Sequence, residues 1–219
     1  MRKPIIQKII KNISKKISYA SLKMVCIAFF CATIFGTAAQ AEIKHQADLS
    51  KIEQYLNNLK FLSADFSQST NDGETNGKFF LARPGRMRVE YNQNPKILIV
   101  VNESVLTYHD IELDEISNLA TNTTPASFLT RKNISFAAKD VEITSFEKNN
   151  EFTKVSVIKK NRKEAGEFSL IFKNNPFEFY KMQVKNDLDE VTEITLSNID
   201  FEKKLSDNLF YIKNKNLPF

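Results

Sequence analysis

The sequence predicts a mainly β fold with some α, built from roughly ten or eleven short antiparallel strands. From Phe61 onward, apolar and polar residues alternate with a period of two along most of the chain. Turn-forming runs such as "NDGETNG", "NQNP" and "NNP" separate the alternating segments. Helical signals appear in two places, so short helices accompany a meander of strands and do not alternate with them.

The first 41 residues predict a secretory signal peptide. They contain seven lysines and arginines and no acid, and an apolar run at 24–35 precedes small residues at Ala39 and Ala41. This run has 12 residues, whereas a membrane-spanning helix needs about 20. We therefore expect cleavage after Ala41 and export of residues 42–219 as one domain.

The first helical segment, "ADLSKIEQYLNNLK", predicts one amphipathic helix at the start of the exported chain. Its apolar stripe has spacings of three, four and three and consists of Leu49, Ile52, Leu56 and Leu59. Asp48 or Ser50 is available as N-cap. Strands follow from Phe61, where Leu62, Ala64 and Phe66 begin the alternation.

The hairpin "FFLARPGRMRVEY" carries three arginines in an otherwise apolar pair of strands. Pro84 and Gly85 suit the two central positions of a type II turn, which places Phe80 opposite Val89. One face would then contain Phe80, Ala82, Met87, Val89 and Tyr91, and we interpret this face as a cavity wall. We expect the side chains of Arg86 and Arg88 to face solvent and to pair with neighbouring acids.

The second helical segment, "NTTPASFLTRKN", predicts one or two short helices inserted between strands. Thr124 is the predicted N-cap and Pro125 the first helical residue, where a missing N–H costs nothing. Phe128 and Leu129 then lie on one side of the helix.

The charge of the exported part argues against a nucleic-acid partner. The whole chain has a formal charge of +5, but seven of its 31 lysines and arginines precede residue 42. The remaining 24 stand against 26 acidic residues, so the exported chain is mildly acidic. A nucleic-acid interface favours a basic surface interleaved with exposed aromatic residues.

The residues offer no candidate for catalysis, a metal or a cofactor. Cys26 and Cys31 both lie in the leader, and His45 and His109 have no second ligand at metal-binding spacing. Nucleophile elbows, phosphate-binding loops and dinucleotide fingerprints are missing from the sequence. The acidic run "DIELDE" at 110–115 lacks the glycine of a calcium loop and predicts a solvated hairpin. We therefore expect a protein that is not an enzyme.

Five blocks of the sequence resemble the LolA family of lipoprotein carriers. They are "FLSADFSQ", "GKFFLARPGRMRVEY", "ILIVVNESVLTYH", "TPASFLTRKN" and "NNPFEFYKMQVKNDLDEVTEITLSNIDF", which together span nearly all of residues 42–211. The arginine–proline step in a strand hairpin is fairly specific, and the order of the five blocks is more so. The resemblance implies an unclosed antiparallel β-barrel with short helices as a lid over an apolar cavity.

The resemblance also implies a function and partners. Family members bind the acyl chains of a lipoprotein, receive it from an inner-membrane ABC transporter and pass it to the outer-membrane receptor LolB. They use no cofactor and perform no covalent chemistry. The resemblance therefore predicts a monomeric periplasmic carrier that ferries lipoproteins from the inner to the outer membrane.

Site residues follow from the same resemblance. The family arginine that matches Arg83 hydrogen-bonds main-chain carbonyls of the lid helices and holds the empty cavity closed. The corresponding lid stretches here lie near Leu56 and near Leu129 and Thr130. The candidate acyl-chain residues are Leu56, Leu59, Leu62, Phe66, Phe80, Met87, Val89, Phe128 and Leu129.

Two alternative functions stay open at this point. The first is a periplasmic structural or interaction protein without a lipid ligand, in which the same apolar residues form an ordinary core. The second is a LolB-like lipoprotein receptor, which the missing lipoprotein cysteine disfavours.

Overall fold

The computed structural model describes residues 45–162 and 165–212, and the predicted signal peptide lies outside these residues. Helix α1 spans Gln46–Asn58 and helix α2 spans Ala126–Thr130, with 3-10 helices at Thr121–Thr123 and Asp207–Phe210. The strands are β1 Phe61–Thr70, β2 Gly73–Ala82, β3 Arg86–Tyr91, β4 Ile97–Asn102, β5 Val105–Asp110, β6 Glu115–Ala120, β7 Val141–Lys148, β8 Phe152–Lys159, β9 Glu167–Asn174, β10 Phe177–Lys185 and β11 Val191–Asp200.

All eleven of these strands form one sheet in the order β6-β5-β4-β3-β2-β1-β11-β10-β9-β8-β7. Neighbouring strands pair antiparallel throughout, and β1 pairs with both β2 and β11 at the middle of the sheet. The chain therefore runs outward from β1 to the edge strand β6 and returns from the other edge strand, β7, to β11. The predicted unclosed antiparallel sheet of about eleven strands is confirmed.

One face of the sheet and the two helices enclose the main apolar core. Leu49, Ile52 and Leu56 of α1 are buried there, and Leu59 follows at the end of the helix, which confirms the predicted stripe. On β1 the alternation places Leu62, Ala64 and Phe66 in the same core. The helical period of 3.6 and the strand period of two thus direct their apolar residues to a common interior.

Neither helix has the N-cap residue that the sequence predicts. Helix α1 begins at Gln46 with His45 as N-cap, so neither predicted residue caps it. Asp48 lies within the first turn and pairs instead with Lys148, at 2.7 Å between Oδ1 and Nζ. A carboxylate in the first turn is stabilised by the helix dipole without being the cap.

Helix α2 begins one residue later than predicted. Pro125 occupies the N-cap position, and the Thr124 hydroxyl donates a hydrogen bond to the Thr121 carbonyl at 2.9 Å. That bond belongs to the 3-10 turn that precedes the helix, so this hydroxyl is used before α2 starts. Phe128 and Leu129 nevertheless both lie in the main core.

The β2–β3 hairpin differs from the prediction by one residue. Its loop contains three residues, 83–85, so Phe80 pairs with Arg88 and not with Val89. Gly85 has a φ of 84°, a conformation that glycine adopts without steric cost. The predicted two-residue type II turn is therefore wrong.

This shift exchanges the two faces of β2, because successive side chains of a strand point to opposite faces. Phe79 and Leu81 join Met87 in the main core. Phe80 lies on the other face, where it packs against a second apolar cluster. The buried members of this cluster are Ala82, Leu98, Val100, Leu205 and Phe210. The interpretation of Phe80 and Ala82 as part of the inner wall is therefore wrong.

Candidate functional site

The guanidinium of Arg83 lies between the C-terminal ends of both helices. Its Nη1 donates to the carbonyl oxygen of Leu56 in the last turn of α1. Its Nη2 donates to the carbonyl oxygen of Arg131, just after α2, at 2.8 Å, with a longer contact to Lys132 at 3.4 Å. The last carbonyls of a helix have no intrahelical partner, so one planar cation satisfies groups that both helices leave free.

The charge of Arg83 is retained despite its partial burial. Burial lowers the pKa of this guanidinium from its ordinary value, yet arginine is not deprotonated in proteins. Its buried Nε makes no hydrogen bond within the described part of the chain. A cation at a helix C-terminus is stabilised by the helix dipole, which favours this position at the ends of α1 and α2.

The backbone of the same loop contacts both helical segments. The Arg83 N–H donates to the Lys60 carbonyl at 2.8 Å, directly after α1. The Gly85 N–H donates to the Thr130 carbonyl at 2.7 Å, at the end of α2. The three-residue loop thus donates main-chain and side-chain hydrogen bonds to the ends of both helices.

A second set of bonds joins α1 to the loop that follows α2. The Asn57 side chain accepts from the Ile134 N–H at 2.8 Å and donates to the Ile134 carbonyl at 2.9 Å. Asn57 Oδ1 also lies 3.3 Å from Arg83 Nη2. The Glu53 carboxylate accepts from the Phe136 N–H at 2.6 Å. We call α1, α2 and the loop 131–136 the lid, since these bonds connect them into one unit.

The Arg131 side chain fixes the far end of the lid. Its guanidinium pairs with the Asp140 carboxylate through two contacts, at 3.1 and 3.4 Å, and its Cζ lies 5.2 Å from the centre of the Phe128 ring. Its carbonyl is the one that accepts from Arg83. Neither these contacts nor those of Asn57 were predicted. Asp140 is only nine residues from Arg131 but lies in a loop without a periodic pattern, and Ile134 is 77 residues from Asn57.

The structure brings eight of the nine predicted acyl-chain residues together. Seven of them are buried in the main core, and they are Leu56, Leu59, Leu62, Phe66, Met87, Phe128 and Leu129. Val89 is partly buried and packs against the same core. Phe80 is separated from these eight by the sheet itself. The lid and the inner face of the sheet therefore enclose one continuous apolar interior.

Sequence reasoning missed several residues of this interior. Ile134 and Phe136 enter it from the lid loop, and Phe79 and Leu81 enter it because of the hairpin register. The strands β9 and β10 add an aromatic group that consists of Phe168, Phe172 and Phe179. The period-two runs "EFSLIF" and "FEFYKMQV" carried the signal for these aromatics.

Two cavities flank α2, and both are small. One has a volume of about 30 Å³ and lies beside Phe128, Val141 and Phe168. The other has a volume of about 250 Å³ and is lined by residues that include Glu103 and Thr121. Pockets for small molecules have volumes of roughly 300–1,000 Å³, so neither cavity accommodates long acyl chains without movement of the lid.

Neither helix of residues 45–162 and 165–212 has the length and apolar character needed to cross a bilayer. In the same residues, histidine, aspartate and glutamate side chains do not gather in groups of three that could hold a metal ion.

The family model described as "Outer membrane lipoprotein carrier protein LolA" matches residues 57–213, which is more than half of the chain. The chain belongs to the LolA family. The match begins in α1 and includes Arg83, every strand and α2. It therefore covers the whole sheet and α2 but only the last two residues of α1, so Leu56 lies just before the match.

Several known proteins are similar to this chain. An outer-membrane lipoprotein carrier protein of Coxiella burnetii is 27% identical over 204 residues, covering 82% of this chain and 90% of the relative. An uncharacterized protein of Rickettsia prowazekii is 24% identical over 193 residues, covering 88% of each chain. A crystal structure of a LolA superfamily protein from Nitrosomonas europaea superposes with a TM-score of 0.43 and 10% identity, covering 75% of this chain and 97% of that one.

The other two arginines of the hairpin have different surroundings in this LolA family member. Arg86 pairs with Asp207, and Arg88 pairs with Glu90. Arg88 Nη1 also donates to the Leu209 carbonyl at 2.9 Å. Both arginines lie on the face opposite the main core, and the predicted pairing with acids is confirmed. The 3-10 helix Asp207–Phe210 shields both arginines in part from solvent, although the sequence predicted that they face it.

Proposed function

We propose that this chain is a periplasmic carrier that binds lipoprotein acyl chains between its sheet and its lid and ferries lipoproteins from the inner to the outer membrane. The observation that carries the proposal is the position of Arg83, whose guanidinium joins both helix ends above a continuous apolar interior. The family match and the carrier names of the relatives support it and do not favour the structural or receptor alternatives.

The physical chemistry of lipoprotein transport requires such an interior. Three acyl chains expose on the order of 40 methylenes, each costing about 0.8 kcal/mol in water. Their burial is therefore worth roughly 30 kcal/mol at most, so a free lipoprotein does not cross an aqueous compartment. In the membrane the acyl chains contact lipid. In a carrier they contact apolar side chains of the protein instead.

In this proposal the structure is the closed, empty state and Arg83 is its latch. Hydrogen bonds to a charged group contribute about 1.5–3 kcal/mol each. Breaking the two close bonds, to the carbonyls of Leu56 and Arg131, therefore costs about 3–6 kcal/mol. Acyl-chain burial exceeds that cost, so cargo opens the lid, and reclosure of the latch favours release.

The lid opens as one unit in this mechanism. Asn57 and Glu53 bond the backbone of Ile134 and Phe136, so α1 and the loop after α2 move together. The edge strands β6 and β7 are not paired with each other, so the sheet widens without breaking a strand ladder. The nine predicted residues, apart from Phe80, would then face the acyl chains.

The remaining parts of the proposal concern processing and partners. Residues 42–219 would act as one monomeric carrier domain after removal of the signal peptide. An inner-membrane Lol ABC transporter would load it, and an outer-membrane LolB receptor, where present, would unload it. It would act without a cofactor, without covalent catalysis and without nucleic acid.

Native mass spectrometry of the exported chain mixed with a triacylated lipoprotein tests the function. The proposal predicts a one-to-one complex with the triacylated lipoprotein and none with the same polypeptide after removal of its acyl chains. Equal binding of the two forms, or binding of neither, would contradict the carrier role.

A further inference from the structure

The β5–β6 hairpin exposes apolar side chains at one edge of the sheet. Every residue of β6 is exposed, including Ile116 at 41% and Leu119 at 42%. At the hairpin end, Ile111 is 47% exposed and Leu113 is 66% exposed. No strand of the described ranges pairs with the outer edge of β6. The described residues thus leave unpaired backbone groups beside four large aliphatic side chains.

The other edge of the same sheet is protected. Strand β7 has an irregular register between Ile143 and Ser145 and ends at Lys148. Natural proteins block sheet edges with bulges, lysines and prolines, because a regular edge invites pairing with another chain. Strand β6 makes six regular pairs with β5 and contains no lysine, arginine or proline. The chain therefore protects one edge and leaves the other regular.

The end of the hairpin is held in a fixed shape. The buried Asp110 carboxylate accepts hydrogen bonds from the N–H groups of Glu112 and Leu113, both at 3.1 Å. His109 Nε2 lies 3.3 Å from the Asp114 carboxylate across the turn. These contacts hold the loop in a conformation in which the Leu113 side chain is exposed to solvent.

The charge of the hairpin indicates the chemistry of a partner. Residues 105–120 contain four acids and no lysine or arginine. The acids are Asp110, Glu112, Asp114 and Glu115. An anionic membrane surface attracts basic segments, so an acidic apolar hairpin is a poor match for it. A polypeptide with basic and apolar residues complements both features.

We propose that the outer edge of β6 binds an extended segment of a partner protein that alternates basic and apolar residues and adds to the sheet as a further strand. Main-chain hydrogen bonds would supply affinity. The exposed Glu112, Asp114 and Glu115 would attract the basic side chains, and Ile116 and Leu119 would pack against the apolar ones.

The C-terminal end of β6 leads into the lid, and Ala120 lines a cavity together with Ser127 and Thr130 of α2. Such a segment is tested as a peptide on the chain without cargo, so the inference does not depend on the acyl-chain interior.

Labelled synthetic peptides test the proposal by fluorescence anisotropy with the purified exported chain. The probe is a peptide of about eight residues, a typical strand length, in which lysine and valine alternate. One control replaces lysine by glutamate, and another places proline at the centre to remove main-chain donors. We expect the lysine peptide to bind at least about tenfold more tightly than either control. Equal binding of the three peptides, or binding of none, would overturn the proposal.

Variants locate the binding site on one edge. Leu119→Lys places a charge on β6, and we expect it to weaken binding of the lysine peptide at least about tenfold. Ile143→Lys makes the matched change at an exposed isoleucine of β7 and should leave binding unchanged. Hydrogen exchange should slow in β6 and not in β7 when the peptide is added. The opposite pattern, or an equal effect of the two variants, would refute the assignment to β6.

Two other occupants of the β6 edge would give different results. Sedimentation of the chain alone would show a dimer that Leu119→Lys dissociates if β6 pairs with a second copy. Flotation with phosphatidylglycerol vesicles would show binding that Leu119→Lys changes if the hairpin contacts lipid. Either result would overturn the assignment of this edge to a basic polypeptide segment.

Discussion

At the scale of single residues, Arg83 has different surroundings from Arg86 and Arg88 because it lies in the loop between β2 and β3, whereas the other two lie in β3. Ala82 of β2 and Arg86 of β3 form the last pair of the hairpin, so the loop between them has three residues. Arg83 is therefore directed to the carbonyls at the ends of both helices. Three of its four lid partners are main-chain carbonyls, so apart from the contact with Asn57 its bonds do not depend on the identities of the lid side chains.

Replacing Arg83 tests the latch. Arg83→Leu removes the guanidinium donors, so the closed state loses stability relative to the open state with bound cargo. Losing even one charged hydrogen bond of about 1.5–3 kcal/mol predicts release of acylated cargo at least about tenfold slower. The measurement is the rate of transfer of a labelled lipoprotein from carrier to acceptor membranes.

The matched control for this variant is Arg86→Leu. Arg86 lies in the same hairpin but pairs with Asp207 on the opposite face, away from the lid. Its replacement should leave the transfer rate close to that of the wild type. If Arg83→Leu also transfers cargo at the wild-type rate, the latch does not exist.

Tyr91 provides a prediction about pH. Its hydroxyl donates to Gln68 at 2.8 Å, and burial, with a smaller contribution from Tyr108, raises its pKa from 10.0 to about 12. A raised folded-state pKa gives stability that is complete below pH 10 and is lost as pH rises towards 12. Two pKa units correspond to roughly 3 kcal/mol.

Tyr91→Phe should therefore flatten the alkaline end of the stability curve. We expect the wild type to lose roughly 3 kcal/mol more free energy of unfolding between pH 10 and 12 than the variant does. Urea unfolding at several pH values in this window measures the difference. Parallel curves for the two proteins would show that Tyr91 is not the group responsible.

At the scale of elements, the periodicity of the sequence predicted which segments form helices and strands but not where they begin. The stripe of α1 and the alternation of β1 depend on many residues, so each tolerates local exceptions. The N-caps of both helices depend on single side chains, and Asp48 and Thr124 form other bonds instead. The β2–β3 register depends on one loop residue, and that residue decides which face Phe80 occupies.

Residues 205–212, after β11, cover part of the outer face of the sheet, and Phe210 is the most buried of them. Phe210 is fully buried against Leu98 and Val100 of β4. Phe210→Ala should lower the free energy of unfolding by about 3–5 kcal/mol, because a buried ring is lost and a cavity remains. Urea unfolding at neutral pH measures this change.

The neighbouring aromatic residue serves as the control. Tyr211 is 58% exposed, and Tyr211→Ala should change the free energy of unfolding by less than about 0.5 kcal/mol. Similar, small effects of the two variants would contradict the role assigned to Phe210.

At the scale of the whole molecule, one open sheet has two different apolar faces. The inner face and the lid enclose the main core, and the outer face carries the smaller cluster around Phe210. Most of the candidate site could be predicted because the resemblance to carriers and the strand alternation indicate the same interior. The bonds between Asn57 and Ile134 could not, because these partners are 77 residues apart and meet only when distant segments fold together. The Arg131–Asp140 pair could not either, because it lies in a loop without a periodic pattern.

The two faces provide the most direct test of the central claim, that acyl chains enter between sheet and lid. A photoreactive benzoylphenylalanine at Phe66 would lie in the inner core, and the same group at Phe80 would lie on the outer face. Each variant is irradiated with a lipoprotein that carries a tagged acyl chain. The account predicts a cross-link to the tagged chain from position 66 and none from position 80. Equal cross-linking from the two positions, or a cross-link from position 80 alone, would contradict it.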